Sequence, residues 1–404
     1  MRILQINQNY NIGSTGRIMK EINDVVCQNG GEGYMMAAYA NGSADNLYVM
    51  ETLPANIAVR KNIAITRLSG LTGYRAKGRT RKSLNWIESI KPEIIHLHNI
   101  HGDWIHLESL FEYIKDNNIP VVWTLHDCWA FTGRCSYFED AQCFKWLSEC
   151  SHCPDMFVYP KSYLFDFSRK MYRDKKKWFT SMKNVTIVTP SKWLGEYVKQ
   201  SYLKKYDLKV INNGIDLSQF ERQKEKSSYL NEEKRNVVLG VAASWTPRKG
   251  LNDFVKLYSI LDPSEYLIVI VGLNSRQMES LPSGIVGIKR TNNVFELSQL
   301  YSQAKVFVNP TYQDNYPTVN LEAIACGTPV ITYKTGGSVE SIVNETGRIV
   351  EKGDILCLAK TIEEICHSNI IFPDTCINYA KYHFDKNDRY NEYVSLYKNI
   401  LRKV

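Results

Sequence analysis

The sequence predicts an α/β protein built as two doubly wound domains, and three observations carry the prediction. The chain has 404 residues, more than a single hydrophobic core usually serves, so a split near the middle is expected. Short apolar runs rich in β-branched residues alternate with helix-spaced stretches in both halves, the pattern of parallel strands joined by crossover helices. Most of those runs end in a polar or glycine-bearing loop, where open α/β sheets bind their ligands.

Arg2-Ile3-Leu4-Gln5-Ile6 opens as a strand, a polar turn from Asn7 to Arg17 follows, and Ile18 to Gln28 has helical spacing. Met35 to Tyr39, Ile94 to His98, Val121 to Leu125 and Val185 to Thr189 read as further parallel strands of a first domain, residues 1–216. Asn212-Asn213-Gly214-Ile215-Asp216 marks its exit, and the charged stretch Glu221 to Arg235 leads into a second domain, residues 217–385. The strands of that domain are Asn236 to Val241, Tyr266 to Val271, Gly284 to Lys289, Val306 to Asn309 and Pro329 to Tyr333. Residues 386–404 hold a last helix, about Asp388 to Arg402.

A hydrophobic content of 44% and a charged content of 23% are those of an ordinary soluble globular chain. No run of about 18 apolar residues is present. The start, MRILQINQNYNIG, reads as a strand entering a turn, without the basic lead and apolar stretch of a signal peptide, so a cytoplasmic protein is expected. The net charge of +8 is unevenly placed. Arg60, Lys61, Arg67, Arg75, Lys77, Arg79, Arg81 and Lys82 share a stretch free of acids, while Arg169, Lys170, Arg173, Lys175, Lys176, Lys177 and Lys183 have only Asp174 among them. Such segments suit peripheral contact with an anionic membrane or a grip on a diphosphate-linked acceptor; solvated helix faces are the plain alternative. No recognisable nucleic-acid-binding motif accompanies the charge, which argues against nucleic acid as a partner.

The chemistry is concentrated between Asn309 and Glu340, NPTYQDNYPTVNLEAIACGTPVITYKTGGSVE. Val306-Phe307-Val308-Asn309 ends a buried strand, Pro310 breaks it, and a polar aromatic loop carrying Asp314 leads to a helix from about Thr318 to Cys326, with Pro317 in its first turn. First-turn amides have no partner within their own helix and favour a phosphate. Gly327 suits the left-handed residue that closes a helix. Thr328 to Tyr333 then reads as the next strand, and Thr335-Gly336-Gly337-Ser338 as a loop whose backbone can approach a ligand closely. Asp314 and Glu322 thus stand eight positions apart across a loop-to-helix junction, a layout suited to a sugar nucleotide. A solvated loop acid with a helix-capping glutamate is the bland reading.

On these residues the chain resembles the retaining nucleotide-sugar glycosyltransferases of glycosyltransferase family 4, whose mark is an acidic pair with seven residues between. The second position is the expected Glu322 in NLEAIACGTPV, and the first carries Asp314 where glutamate is usual. The resemblance spans most of the chain, in the order TLHD, KG, DNYPTVNLEAIACG. It implies two Rossmann-like domains facing across a cleft (the GT-B architecture), with the donor held mainly by the second, the acceptor by the first, and the last helix crossing back onto the first. By resemblance Asp314 contacts the donor sugar, Glu322 the ribose hydroxyls, and the amides of Tyr316, Thr318 and Val319 lie near the diphosphate.

Other candidates follow the same logic. Arg248 and Lys249 in GVAASWTPRKG lie between a strand and a helix, where two cations can neutralise a leaving diphosphate. The KG pair matches the family, whereas Ala243 stands where many relatives carry a further arginine. In the loop Gly13-Ser14-Thr15-Gly16-Arg17, which is not a dinucleotide fingerprint, Gly16 can bring backbone amides toward a phosphate, and the resemblance places such a loop against the donor diphosphate. His126 of TLHDCWAFTG ends a strand and can donate to sugar hydroxyls or to developing charge, or can be a core histidine bonded to backbone. The resemblance favours contact with the donor sugar. Asp127 is expected to fix that loop, and His98 of HLHNIHG is a lesser candidate on the acceptor side.

Ten cysteines include a compact group, Cys135, Cys143, Cys150 and Cys153, whose CxxC pair with two further thiols can form a structural zinc site. His152 and Cys128 are substitute ligands, free thiols the alternative, and Cys326 reads as a small core residue. Similar cysteine-rich insertions occur in family members that assemble cell-surface polysaccharides.

The resemblance implies a hexosyltransferase acting with retained anomeric configuration, from a UDP-sugar or a GDP-sugar to a hydroxyl of a glycan or lipid-linked oligosaccharide, in O-antigen, capsule or exopolysaccharide biosynthesis. The leaving phosphate helps take the acceptor proton, and no catalytic cofactor is needed. Catalysis then rests on positioning, on donors aimed at the diphosphate and on domain closure. A sugar-nucleotide epimerase of the same fold and a non-catalytic carbohydrate-binding scaffold are the alternatives.

Overall fold

A computed structural model describes residues 1–50, 57–368 and 370–403; the side chains of residues 57–62, Arg60 and Lys61 among them, lie outside the described ones. The chain divides into two compact units, Met1–Asn212 with Tyr390–Val404, and Asn213–Arg389.

The first unit is wound on a parallel sheet of strands β1 (Arg2–Tyr10), β2 (Glu32–Ala40), β3 (Leu47–Val49), β4 (Ile94–Leu97), β5 (Val121–Thr124), β6 (Val185–Thr189) and β7 (Asp207–Val210). Their order is β3-β2-β1-β4-β5-β6-β7. The chain therefore leaves β1 toward one edge and, after β3, returns to β4 on the other side of β1. That reversal opens a crevice at the carboxyl ends of β1 and β4. Helices α1 (Gly13–Gln28), α2 (Ile57–Ser69), α3 (Lys77–Ile90), α4 (Leu107–Asp116), α5 (Ser168–Phe179) and α6 (Lys192–Gln200) make the connections.

The second unit repeats the plan with β8 (Asn236–Val241), β9 (Tyr266–Val271), β10 (Val286–Ile288), β11 (Val306–Asn309), β12 (Val330–Tyr333) and β13 (Gly347–Val350), in the parallel order β10-β9-β8-β11-β12-β13. Here the reversal falls between β8 and β11. Its helices are α7 (Leu251–Tyr258), α8 (Ser275–Glu279), α9 (Val294–Gln303), α10 (Thr318–Ala325), α11 (Ile355–Ser368) and α12 (Pro373–His383). Strands β9 and β11 are buried at every position, which is why they read as unbroken apolar runs.

Three strands escape the sequence reading: β3, β7 and β13 are short edge strands with exposed positions, and so lack the continuous apolar signature. The turn expected from Asn7 to Arg17 is also tighter. Strand β1 continues to Tyr10 and α1 starts at Gly13, because Gly13 adopts φ +65° and lets the chain enter the helix at once.

The last helix, α13 (Lys386–Leu401), begins in the second unit and contributes to the first from Tyr390 onward. Tyr390, Tyr393, Val394 and Tyr397 are buried in one cluster with Ile3, Ile22 and Val122. Their hydroxyls find partners, as buried tyrosines require: Tyr397 meets His96 Nδ1 at 2.6 Å and Tyr393 meets Thr124 Oγ1 at 3.1 Å.

Candidate active site

Polar side chains gather at the reversal point of each sheet. In the second unit, the loop after β8 passes through a short helical turn, Pro247–Lys249, closed by Gly250. Gly250 has φ +77°, and a Cβ there would stand 2.2 Å from the carbonyl oxygen of Pro310, so glycine lets this loop lie against the one that follows β11. Lys249 Nζ thereby reaches Asp314 Oδ2 at 2.5 Å, with Arg248 Nη1 3.9 Å from the same oxygen. Arg248 also donates to the carbonyl of Gln313, and its own carbonyl accepts from Tyr312 N at 2.8 Å. Asp314 is 9% exposed. Burial pushes its carboxyl upward, but Lys249 and Arg248 together pull more strongly and hold it below the usual carboxylate value, so it is ionised.

The glycine loop fastens the backbone of Asp314 from the other side. Gly336 has φ +51°, a Cβ there would come within 2.0 Å of Asp314 O, and Gly337 N donates to that oxygen at 3.1 Å. Behind Asp314, α10 starts at Thr318 with Pro317 as its N-cap rather than inside its first turn. Glu322 lies within this helix, 3% exposed, and accepts from Tyr301 OH at 3.2 Å. Gly327, φ +83°, ends the helix in the left-handed conformation.

A buried amide network that sequence reasoning missed locks these parts together. Asn309 donates to Asn320 Oδ1 at 2.8 Å, and Asn320 Nδ2 reaches the Ser338 carbonyl at 3.3 Å. Asn213 donates to the Tyr316 carbonyl at 3.0 Å. The only sequence signal was the presence of asparagines inside otherwise apolar segments.

In the first unit, a chain of hydrogen bonds runs from α1 to His126. Gln5, buried on β1, donates through Nε2 to the Met19 carbonyl at 2.9 Å, which turns its Oε1 toward His98 Nε2 at 3.0 Å. His98 follows β4 at the reversal point, and its Nδ1 lies 3.1 Å from His126 Nε2. Burial, reinforced by the neighbouring imidazoles, holds His98 well below the usual histidine value; burial likewise lowers His126 to about 4, outweighing the opposing pull of Asp127. Both rings are therefore neutral near pH 7. An amide oxygen only accepts, so the proton of His98 sits on Nε2, its Nδ1 accepts, and the proton of His126 sits on Nε2. His126 Nδ1 then carries the lone pair of the ring.

His98 is 2% exposed and committed to this chain, so it lies behind His126 rather than as a separate contact surface. Asp127 Oδ1 accepts from Trp129 N at 2.9 Å and its Oδ2 lies 3.5 Å from His101 Nε2. His98, His101, His126 and Asp127 line one small cavity. Gly16 is not in a loop: it is in the first turns of α1, and a Cβ there would stand 3.0 Å from Asn9 O, so glycine allows the helix to seat closely on the end of β1.

The cysteine group is made of free thiols. Burial pushes Cys135 up to about 12 and Cys150 up to about 11, so both are protonated. Cys150 Sγ accepts from Gly133 N at 3.1 Å. Among the described residues, no group of three or more His, Cys, Asp or Glu side chains is placed to hold a metal ion, so the tetrahedral set expected from Cys135, Cys143, Cys150 and Cys153 is not assembled, nor completed by the exposed His152 or the buried Cys128.

Two doubly wound parallel sheets with polar groups gathered at their reversal points fit the GT-B class, and the family models agree. Residues 36–219 match the model described as Glycosyltransferase Family 4, and residues 221–383 match that of Glycosyl transferases group 1. The chain belongs to the glycosyltransferases, as a two-domain member of the family 4 type. It is 23% identical to the colanic acid biosynthesis glycosyl transferase WcaC of Escherichia coli K12, itself provisionally so named, over 99% of this chain and 100% of that one. It is 25% identical to the N,N'-diacetylbacillosaminyl-diphospho-undecaprenol alpha-1,3-N-acetylgalactosaminyltransferase of Campylobacter jejuni, over 52% of this chain and 59% of that one. The fold is also that of Anabaena Alr3699/HepE, solved in complex with UDP, with a TM-score of 0.67, 14% identity, and coverage of 99% of this chain and 100% of that one. Among the described residues, no helix is long and apolar enough to cross a membrane.

Proposed function

We propose that the protein is a retaining hexosyltransferase that moves a sugar from a nucleoside-diphosphate sugar, a UDP-sugar before a GDP-sugar, to a hydroxyl of a glycan or lipid-linked acceptor in surface polysaccharide assembly. The observation that carries this reading is the triad of Lys249, Arg248 and Asp314 at the reversal point of the second sheet, beside the amino end of α10. A diphosphate there is met by two cations and by first-turn amides of Thr318 and Val319, while Asp314 takes sugar hydroxyls. Glu322, oriented by Tyr301, accepts from the ribose hydroxyls. Lys249 spreads the charge that builds on the leaving phosphate.

The UDP complex of the Anabaena neighbour supports the nucleotide, and the names of the two relatives support a surface glycan and a polyprenol-linked acceptor. Retention follows the acidic-pair pattern. The test is transfer from labelled UDP- and GDP-sugars by wild type, Glu322→Ala and Lys249→Met. The expectation is transfer by wild type and severe loss in both variants. Normal donor affinity and turnover in Glu322→Ala would defeat the ribose assignment, and isomerised donor formed without any acceptor would defeat transfer in favour of epimerisation.

A further inference from the structure

The segment between the cysteine group and α5 carries an unusual surface. Phe157, Leu164 and Phe165 are 66%, 64% and 55% exposed, and Val158, Phe167 and the nearby Leu68 on α2 are exposed as well. Single exposed apolar residues are unremarkable, but six within one loop and the helix end it touches form a patch, and such patches mark contact sites. The loop is not loosely hung. Tyr163 N donates to the Arg67 carbonyl at 2.8 Å and Leu164 N to that of Leu68 at 3.1 Å, while Arg134 donates to the carbonyls of Asp155 and Pro160. Its backbone is satisfied and anchored while its apolar side chains point out.

The loop runs directly into α5, whose buried face is Met171, Tyr172, Lys175, Trp178 and Phe179. The exposed cations Arg169, Lys170, Arg173, Lys176 and Lys177 fall on the opposite side, and at 3.6 residues per turn they share a face roughly 120° wide. Two acids offset part of this charge, Glu149 beside Arg169 and Arg173 and Asp174 beside Lys170, and the face stays net positive. An apolar, aromatic-rich edge flanked by a cationic face fits a bilayer interface, where rings and Leu enter the boundary region and cations meet anionic headgroups.

We propose that the loop 156–167 and the cationic face of α5 form a docking surface for an anionic lipid bilayer. Tyr159 ties the surface to the site of the first unit, because its hydroxyl lies 2.9 Å from His101 Nδ1, and His101 in turn faces Asp127 beside His126. The inference stands on the exposed loop and deepens the partner side of the proposed transfer reaction. Nucleotide binding by the second unit does not involve it, so the two can fail separately.

The test is flotation of the full chain with vesicles of phosphatidylcholine alone or mixed equally with phosphatidylglycerol. Wild type is expected to float with the mixed vesicles only, and less so at high salt. Phe157→Ser/Leu164→Ser/Phe165→Ser is expected to stay behind with an unchanged melting temperature, since all three positions are exposed. Lys176→Gln/Lys177→Gln is expected to weaken binding by about fivefold per cation removed. Wild type that does not float, or a triple serine variant that floats like wild type, overturns the proposal. So does a wild-type dimer in sedimentation that the serine substitutions abolish, because the loop would then be covered by a second copy.

Discussion

Replacing Gln5 by leucine removes the acceptor that fixes the proton of His98 on Nε2. In a site this buried, a donor left without an acceptor costs about 1–3 kcal/mol. His98 escapes that cost by moving its proton to Nδ1, which faces His126 Nε2 at 3.1 Å. Two donors cannot share that contact, so the proton of His126 moves to Nδ1. The ring then carries N–H where the native protein has a lone pair. Whatever part of that cost the tautomer change does not recover lowers the stability of the fold, by at most about 1–3 kcal/mol. The direct assay is nitrogen-15 NMR of the histidine side chains, which reports the tautomer whatever the substrate. Wild type should show the Nε2–H form at both His98 and His126, and Gln5→Leu should show both rings switched with the fold intact by circular dichroism. A wild-type His126 in the Nδ1–H form, or unchanged tautomers in Gln5→Leu, would refute the reasoning.

The same buried rings make the first unit sensitive to acid. His96, His98 and His126 are all lowered in the folded chain, so the unfolded chain binds more protons, and stability is complete above the ordinary histidine value near 6.5 and is lost as pH falls toward the folded values. For His126, lowered to about 4, the loss by pH 5 is about 2 kcal/mol, with His96 and His98 adding to it; urea unfolding from pH 7 to pH 5 should show it, and His126→Asn should flatten the slope. Gly336→Ala sets a methyl 2.0 Å from Asp314 O at a positive φ, so it should cost about 1–3 kcal/mol and weaken nucleotide binding together, seen by melting and titration. That no ligand set is assembled among the described residues predicts no change in melting temperature with a chelator; stoichiometric zinc in the purified protein with a drop on chelation would show instead that the four cysteines close on a metal.

What could be read from the chain depended on whether the signal was local. Val306 to Gly327 was legible because a buried strand, a proline breaker, a short helix and a glycine stop follow each other within the same 22 residues, and the structure has β11 ending at Asn309 before Pro310, then α10 and a left-handed Gly327 in that order. The ion pair of Lys249 with Asp314 joins residues 65 apart, and no spacing rule announces it. Gln5 was hidden by its surroundings, a single amide inside an apolar strand, although its position opposite His96 in the β1–β4 register is what gives His98 its partner. The exposed loop before α5 was obscured in a different way. Its phenylalanines and leucine carry no mark of exposure, since a sequence carries composition but not the direction in which a side chain points.

The claim at the centre of this account is that the second unit binds a nucleoside diphosphate through Lys249 and Arg248, and ligand-dependent melting tests it most directly. Wild type and Lys249→Met would be heated with UDP, GDP, ADP and their sugars. The account predicts stabilisation of wild type by one nucleotide and its sugar, about 2.7 kcal/mol at a hundredfold excess over Kd, with most of it lost in Lys249→Met. No shift with any nucleotide, or an equal shift in the variant, would contradict it.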